Sequence, residues 1–160
     1  MISLKKRQSG FTIVELLIVI VVIGILAALV ITTYGGIQSK ARNSKRQVDL
    51  QSLQTHLEAY FSQNGFYPSN ADINGTAWRA ANMKSLDIGA MSDPLNLNQV
   101  NPQLKITTST IADKQYSYVV SDSSNASCET LDTNCAKYTL TAPYEGTVNG
   151  AAAYTKSNLD

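Results

Sequence analysis

The stretch KKRQSGFTIVELLIVIVVIGILAALVITTYGG, residues 5–36, decides how this chain is read. It opens on three bases, Lys5, Lys6 and Arg7, and no charge occurs over the 24 residues from Leu16 to Ser39. A run of ~20 apolar residues is long enough to cross a bilayer. In hydrocarbon such a segment must be helical, because only a helix satisfies its own backbone. The β-branched run Val19–Ile23 is only mildly unfavourable in a helix, and burial overrides it. One acid, Glu15, stands at the rim of the run, where a carboxylate is costly in lipid.

The helical pattern continues beyond Gly36. Ile37, Ala41, Val48, Leu50, Leu53, Leu57, Tyr60 and Phe61 recur mostly at three- and four-residue steps, which reads as one apolar face of an amphipathic helix. The sequence NGFYP, residues 64–68, supplies the stop, with Gly65 suited to a left-handed cap and Pro68 unable to continue. The 54 residues from Phe11 to Asn64 would reach roughly 80 Å as one helix.

Residues 65–160 are rich in Ser, Thr, Asn, Gly and Tyr. Here Thr76–Leu86 reads as a short helix with Thr76 as its cap. Leu104–Thr110, Gln115–Ser121 and Lys137–Ala142 read as strands, and GTVNGAAAYT (residues 146–155) as a less regular fourth. The expected fold is α+β: a long N-terminal helix packed on a small antiparallel sheet. The expected divisions are a basic leader at 1–10, a transmembrane helix at 11–35, its amphipathic continuation at 36–64 and a head at 65–160. Net charge is +3 in residues 1–10, +1 in 11–64 and −3 in 65–160. A mildly acidic head offers no electrostatic footprint for nucleic acid.

Chemistry-bearing residues are sparse. His56 is the only histidine, and no nucleophile elbow, phosphate loop or dinucleotide fingerprint occurs, so no catalytic residue, metal or cofactor is assigned. Lys40, Arg42, Lys45 and Arg46 read as an interfacial basic cluster or as salt-bridge partners of acids of adjacent heads, Asp49 or Glu58 among them. Asn74-Gly75-Thr76 and Asn125-Ala126-Ser127 match the glycosylation sequon and read as turns. Cys128 and Cys135, behind a membrane-targeting segment, suggest an oxidised pair outside the cytoplasm, with two reduced structural thiols as the alternative.

Three readings of the N-terminus compete. A cleaved secretory signal cut near Ala27-Ala28 and a plain uncleaved anchor each leave Glu15 unexplained. The third rests on a resemblance: KKRQSGFTIVELLIVIVVIGILAAL resembles the class III signal of type IV pilins and pilin-like proteins. The resemblance implies cleavage between Gly10 and Phe11 by a prepilin peptidase, N-methylation of Phe11, and Glu15 as the assembly glutamate. It also implies a cytoplasmic leader, an outward head, and growth of a homopolymer by an assembly platform and ATPases. The cysteines resemble the C-terminal disulfide region of pilins, and Thr32 stands where many pilins carry proline. The function so implied is a structural subunit of a surface filament serving motility, adhesion or DNA uptake, with nucleic acid at most an indirect partner. The alternatives are a pseudopilin of a type II secretion or competence system and, from another class, a single-pass membrane-anchored binding protein. No dense acidic cluster lies near Tyr144–Asp160, where secretion pseudopilins of the major class often carry a calcium loop.

Overall fold

The computed structural model describes residues 10–96, 99–129 and 134–159. Two compact units emerge, residues 1–38 and 39–160, and the helix α1, Ile13–Asn64, has residues in both. Within the first unit every large apolar side chain from Phe11 to Ile31 is 48–91% exposed. This part of α1 is long and apolar enough to cross a membrane.

The second unit contains the core. Leu50, Leu53 and Leu57 of α1 are fully buried beside Tyr116, Tyr118, Val120, Tyr138 and Leu140. Ile37, Ala41 and Val48 are exposed instead, so the single apolar face read from the sequence is corrected. The reason is geometric: at 100° per residue Val48 and Leu50 lie about 200° apart and cannot share a face. The residue that does continue the Leu57–Leu53–Leu50 stripe is Arg46, which is completely buried.

Helix α1 ends as anticipated. Gly65 has φ +79° and its N–H donates to the Phe61 carbonyl at 2.7 Å, closing a left-handed cap. No atom lies within 4 Å of an added Cβ there, so only backbone strain opposes a side chain. Gly65→Ala is expected to lower unfolding stability by about 1 kcal/mol, with Gly65→Asn losing less, as read from denaturation midpoints in detergent.

A short helix α2, Asn70–Asn74, follows, capped reciprocally by Ser69 and Asp72. Helix α3 covers Thr76–Asn82, and its N-cap is Gly75. The expected helix to Leu86 capped by Thr76 is therefore shortened and its cap moved by one residue.

The sheet has three antiparallel strands in the order β1 (Ser117–Ser121), β2 (Lys137–Val148) and β3 (Ala151–Ser157). Tyr118 pairs with Leu140 and Thr141 with Thr155. The β2–β3 turn, Asn149-Gly150, has φ of 51° and 80°, the doubly positive geometry that asparagine-glycine hairpins favour. The fourth segment read from the sequence thus divides into the end of β2, this turn and β3. Pro143 sits in the middle strand but beyond Thr141, the last residue paired to β1, so its missing N–H breaks no ladder on that side.

Leu104–Thr110 is not a strand. Leu104 exchanges both backbone hydrogen bonds with the Asn74 amide, at 2.8 and 3.0 Å, and Lys105 makes one isolated bridge to Ser117. Further on, Thr110 and Asp113 cap a short 3-10 turn. The Asn74 side chain thus serves Leu104, while Lys105 alone meets β1, donating to the Tyr116 carbonyl at 2.8 Å and accepting from the Tyr118 N–H at 2.9 Å.

Buried tyrosines tie the sheet to α1. The Tyr116 hydroxyl donates to Asp49 at 2.8 Å. Tyr138 and Tyr67 donate to Glu58 at 2.7 and 3.0 Å, and the Leu159 N–H donates to the same carboxylate at 3.2 Å.

Candidate functional site

Glu15 sits in the first turn of α1, and Thr12 precedes the helix. The Glu15 Oε2 accepts from the Thr12 N–H and hydroxyl, each at 2.8 Å, and the Glu15 N–H donates to Thr12 Oγ1 at 3.2 Å. This is a capping box, written in the sequence as Thr-x-x-Glu. It was legible from that spacing and absent from the sequence reading. The cap holds the carboxylate at the positive end of the helix. It engages only one oxygen: Oε1 has no partner among the described residues. Gly10 and Phe11 precede it and are exposed, whereas Lys5, Lys6 and Arg7 lie outside the described residues.

The basic cluster at 40–46 is divided by the fold. Arg46 lies wholly inside, donating from Nε to Asp93 Oδ2 at 2.7 Å and from Nη2 to Asp93 Oδ1 at 2.9 Å. Its Nη1 reaches Glu145 Oε1 at 3.0 Å and Asn43 Oδ1 at 2.7 Å. Arg42 makes a fork to both Glu145 oxygens at 2.6 Å. Lys45 pairs with Asp49 one turn along at 2.8 Å. Burial pulls the Arg46 pKa down, but its bonds to Asp93 and Glu145 outweigh this and hold it above the ordinary value. The Arg42 bond holds the Glu145 carboxyl below its usual range. These pairs lie within one chain, and the acids differ in part from those named from sequence: Glu58 serves tyrosines.

Cys128 and Cys135 are both buried. Their backbones bracket one end of β1: the Cys128 N–H donates to Val120, and Ala136 donates to Ser121. Their carbonyls both receive bonds from the segment after α1, from Asn70 and Tyr67 respectively. Residues 130–133 of the intervening loop lie outside the described residues. His56 is half-buried, with Nδ1 at 2.8 Å from the Ser52 carbonyl and Nε2 at 3.1 Å from the Ser85 hydroxyl. Of the two sequons, Asn74 is engaged through both amide atoms by Leu104, whereas Asn125 is exposed at φ 69°.

Residues 5–31 match the family described as the prokaryotic N-terminal methylation motif. The chain is 43% identical over 65 residues to type II secretion system core protein G of Aeromonas hydrophila, covering 41% of this chain and 46% of that protein. It is 40% identical over 63 residues to core protein G of Escherichia coli, covering 39% and 43%. It is 33% identical over 86 residues to the type IV major pilin protein PilA of Myxococcus xanthus, covering 54% and 39%. The chain thus spans less than half the length of these relatives. No solved structure matches it. An apolar helix opened by a carboxylate cap coincides with the matched motif, and the chain carries a prepilin-type N-terminal methylation motif and is homologous over part of its length to type II secretion protein G and type IV pilin.

Proposed function

We propose that this chain is a structural subunit of a type IV pilus, matured by prepilin peptidase between Gly10 and Phe11 and polymerised through α1. It waits in the cytoplasmic membrane with its head outside, then enters an extracellular filament raised by the assembly platform and its ATPases. One observation carries the reading: the motif at 5–31 contains a single acid whose second oxygen has no partner among the described residues, at the rim of an exposed apolar helix. Cleavage puts a free amine on Phe11, and the same amine on a neighbouring copy supplies a counter-ion for Glu15 Oε1. Identical helices joined in this head-to-tail sense extend into an open helix when the rotation does not close. Farther along α1, Ala41, Ser44, Val48, Gln51, Thr55 and Ala59 form an exposed, uncharged row that supports close packing between copies.

The pilus is favoured by the similarity to a major pilin over 54% of this chain. A secretion pseudopilus is the second reading, favoured by the higher identity to core protein G. Cys128 and Cys135 form a disulfide in this proposal, stiffening the loop between them.

The mature chain is expected to have lost residues 1–10 and gained one methyl group, as read by intact mass of sheared surface material. Alkylation before reduction is expected to add nothing. A full-length chain would favour a plain anchor, and an alkylated one would remove the disulfide. Electron microscopy of the same material separates the two filament readings: long fibres containing the chain support the pilus, short or absent ones the pseudopilus.

A further inference from the structure

Arg79 of α3 is only 5% exposed, yet no carboxylate pairs with it among the described residues. Its Nη1 donates to the Ile73 carbonyl at 2.7 Å and its Nη2 to Asn101 Oδ1 at 2.8 Å. A guanidinium carries five N–H donors, so three remain without a partner among the described residues. The contrast with Arg42 and Arg46 is direct, since each of those faces carboxylates. Burying a cation without a counter-ion is costly, and buried charges are ordinarily paired. Desolvation alone acts on Arg79 and lowers its pKa from the ordinary value.

Arg79 borders a cleft of about 460 Å³. Lys84 and Asn101 also line it, no acid does among the described residues, and Met83, Leu86 and Ile88 supply apolar wall. That volume lies within the ~300–1,000 Å³ of small-ligand sites, which combine apolar walls with a few convergent polar groups. The planar fork of arginine matches a carboxylate, while the wall beside it fits a short aliphatic group.

We infer that this cleft binds a carboxylate carried on a short aliphatic group, with Arg79 as its fixed cation and Lys84 as a second one. The carboxylate has two possible sources, a free aliphatic acid or the C-terminal end of a peptide. The inference is independent of polymerisation.

The test uses the full chain in a non-ionic detergent, labelled on arginine and methionine, followed by NMR. The probes are 4-methylpentanoate, its neutral amide, N-acetyl-leucine, N-acetyl-leucinamide and inorganic phosphate. Saturable shifts of the Arg79 Nε–H and the Met83 methyl are expected with the acids. The amides should bind about tenfold or more weakly, the scale of one hydrogen bond to a charged group. Lys84→Gln, at an exposed position, should weaken the acids several-fold with the rest of the spectrum unchanged; Arg79→Lys should lose them. Tighter binding of N-acetyl-leucine than of 4-methylpentanoate assigns the peptide source, and the reverse order the free acid; both uphold the site. Amides binding as well as acids, phosphate competing equally, or no saturable shift in the millimolar range would overturn it.

Discussion

Glu15→Ala is expected to cut incorporation of the subunit into sheared fibres by roughly ten- to a hundredfold, with its amount in the membrane unchanged. The magnitude follows from losing one charge-assisted hydrogen bond per subunit, ~1.5–3 kcal/mol. Glu15→Gln should fail almost as badly, since it keeps the shape but not the charge. The capping box supplies the control. Thr12→Val removes the two side-chain contacts with Glu15 and costs the helix start about 1 kcal/mol, yet leaves the acid in place. If the carboxylate served only to cap α1, Thr12→Val and Glu15→Ala would have similar consequences. If it recruits a neighbouring amine, only the second abolishes fibres. Wild-type fibre yield from Glu15→Ala, scored by immunoblot against the membrane fraction, would refute the assembly role.

The same residue shows how far the sequence can be read. Glu15 was conspicuous because a lone acid beside 24 uncharged residues is costly, and cost implies a reason. Its partner Thr12 was missed, although a separate local rule, a threonine three residues before an acid at a helix start, points to it. The end of α1 was legible because glycine at positive φ and a following proline act within a few residues. Leu104–Thr110 was not, because a β-prone composition does not reveal that the distant Asn74 amide serves Leu104 and that only Lys105 pairs with β1. β1 and the start of β2 were visible in their alternation. The length of β2 was not, since Pro143 reads as an end until the partial coverage by β1 is known. The buried arginines are the opposite case. Residues 46, 50, 53 and 57 step by four, three and four, so periodicity already placed Arg46 in the core stripe. Composition argued for a solvated cation, and the acids that make burial tolerable, Asp93 and Glu145, are remote in sequence.

Arg46→Leu is accordingly expected to be among the most destabilising single changes in the second unit, by about 3–5 kcal/mol, because it strands Asp93 inside the protein. Both Arg46 and the Asp93 side chain are fully buried, so water cannot take over the lost bonds. Adding Asp93→Leu to Arg46→Leu should restore a large part of the stability, since two apolar side chains then replace two charges. A purely additive double variant, measured by urea denaturation in detergent, would mean that the pair is not coupled. The network also sets the sign of the pH response. Arg42 holds the Glu145 pKa below its ordinary 4.5, so this contribution is complete above about that pH and is lost as pH falls through the lower folded value. Arg42→Gln should flatten that acid limb, whereas Lys45→Gln, whose ion pair is with Asp49, should leave the Glu145 contribution intact. The comparison separates the charges that hold α1 to the sheet from those that merely decorate its surface.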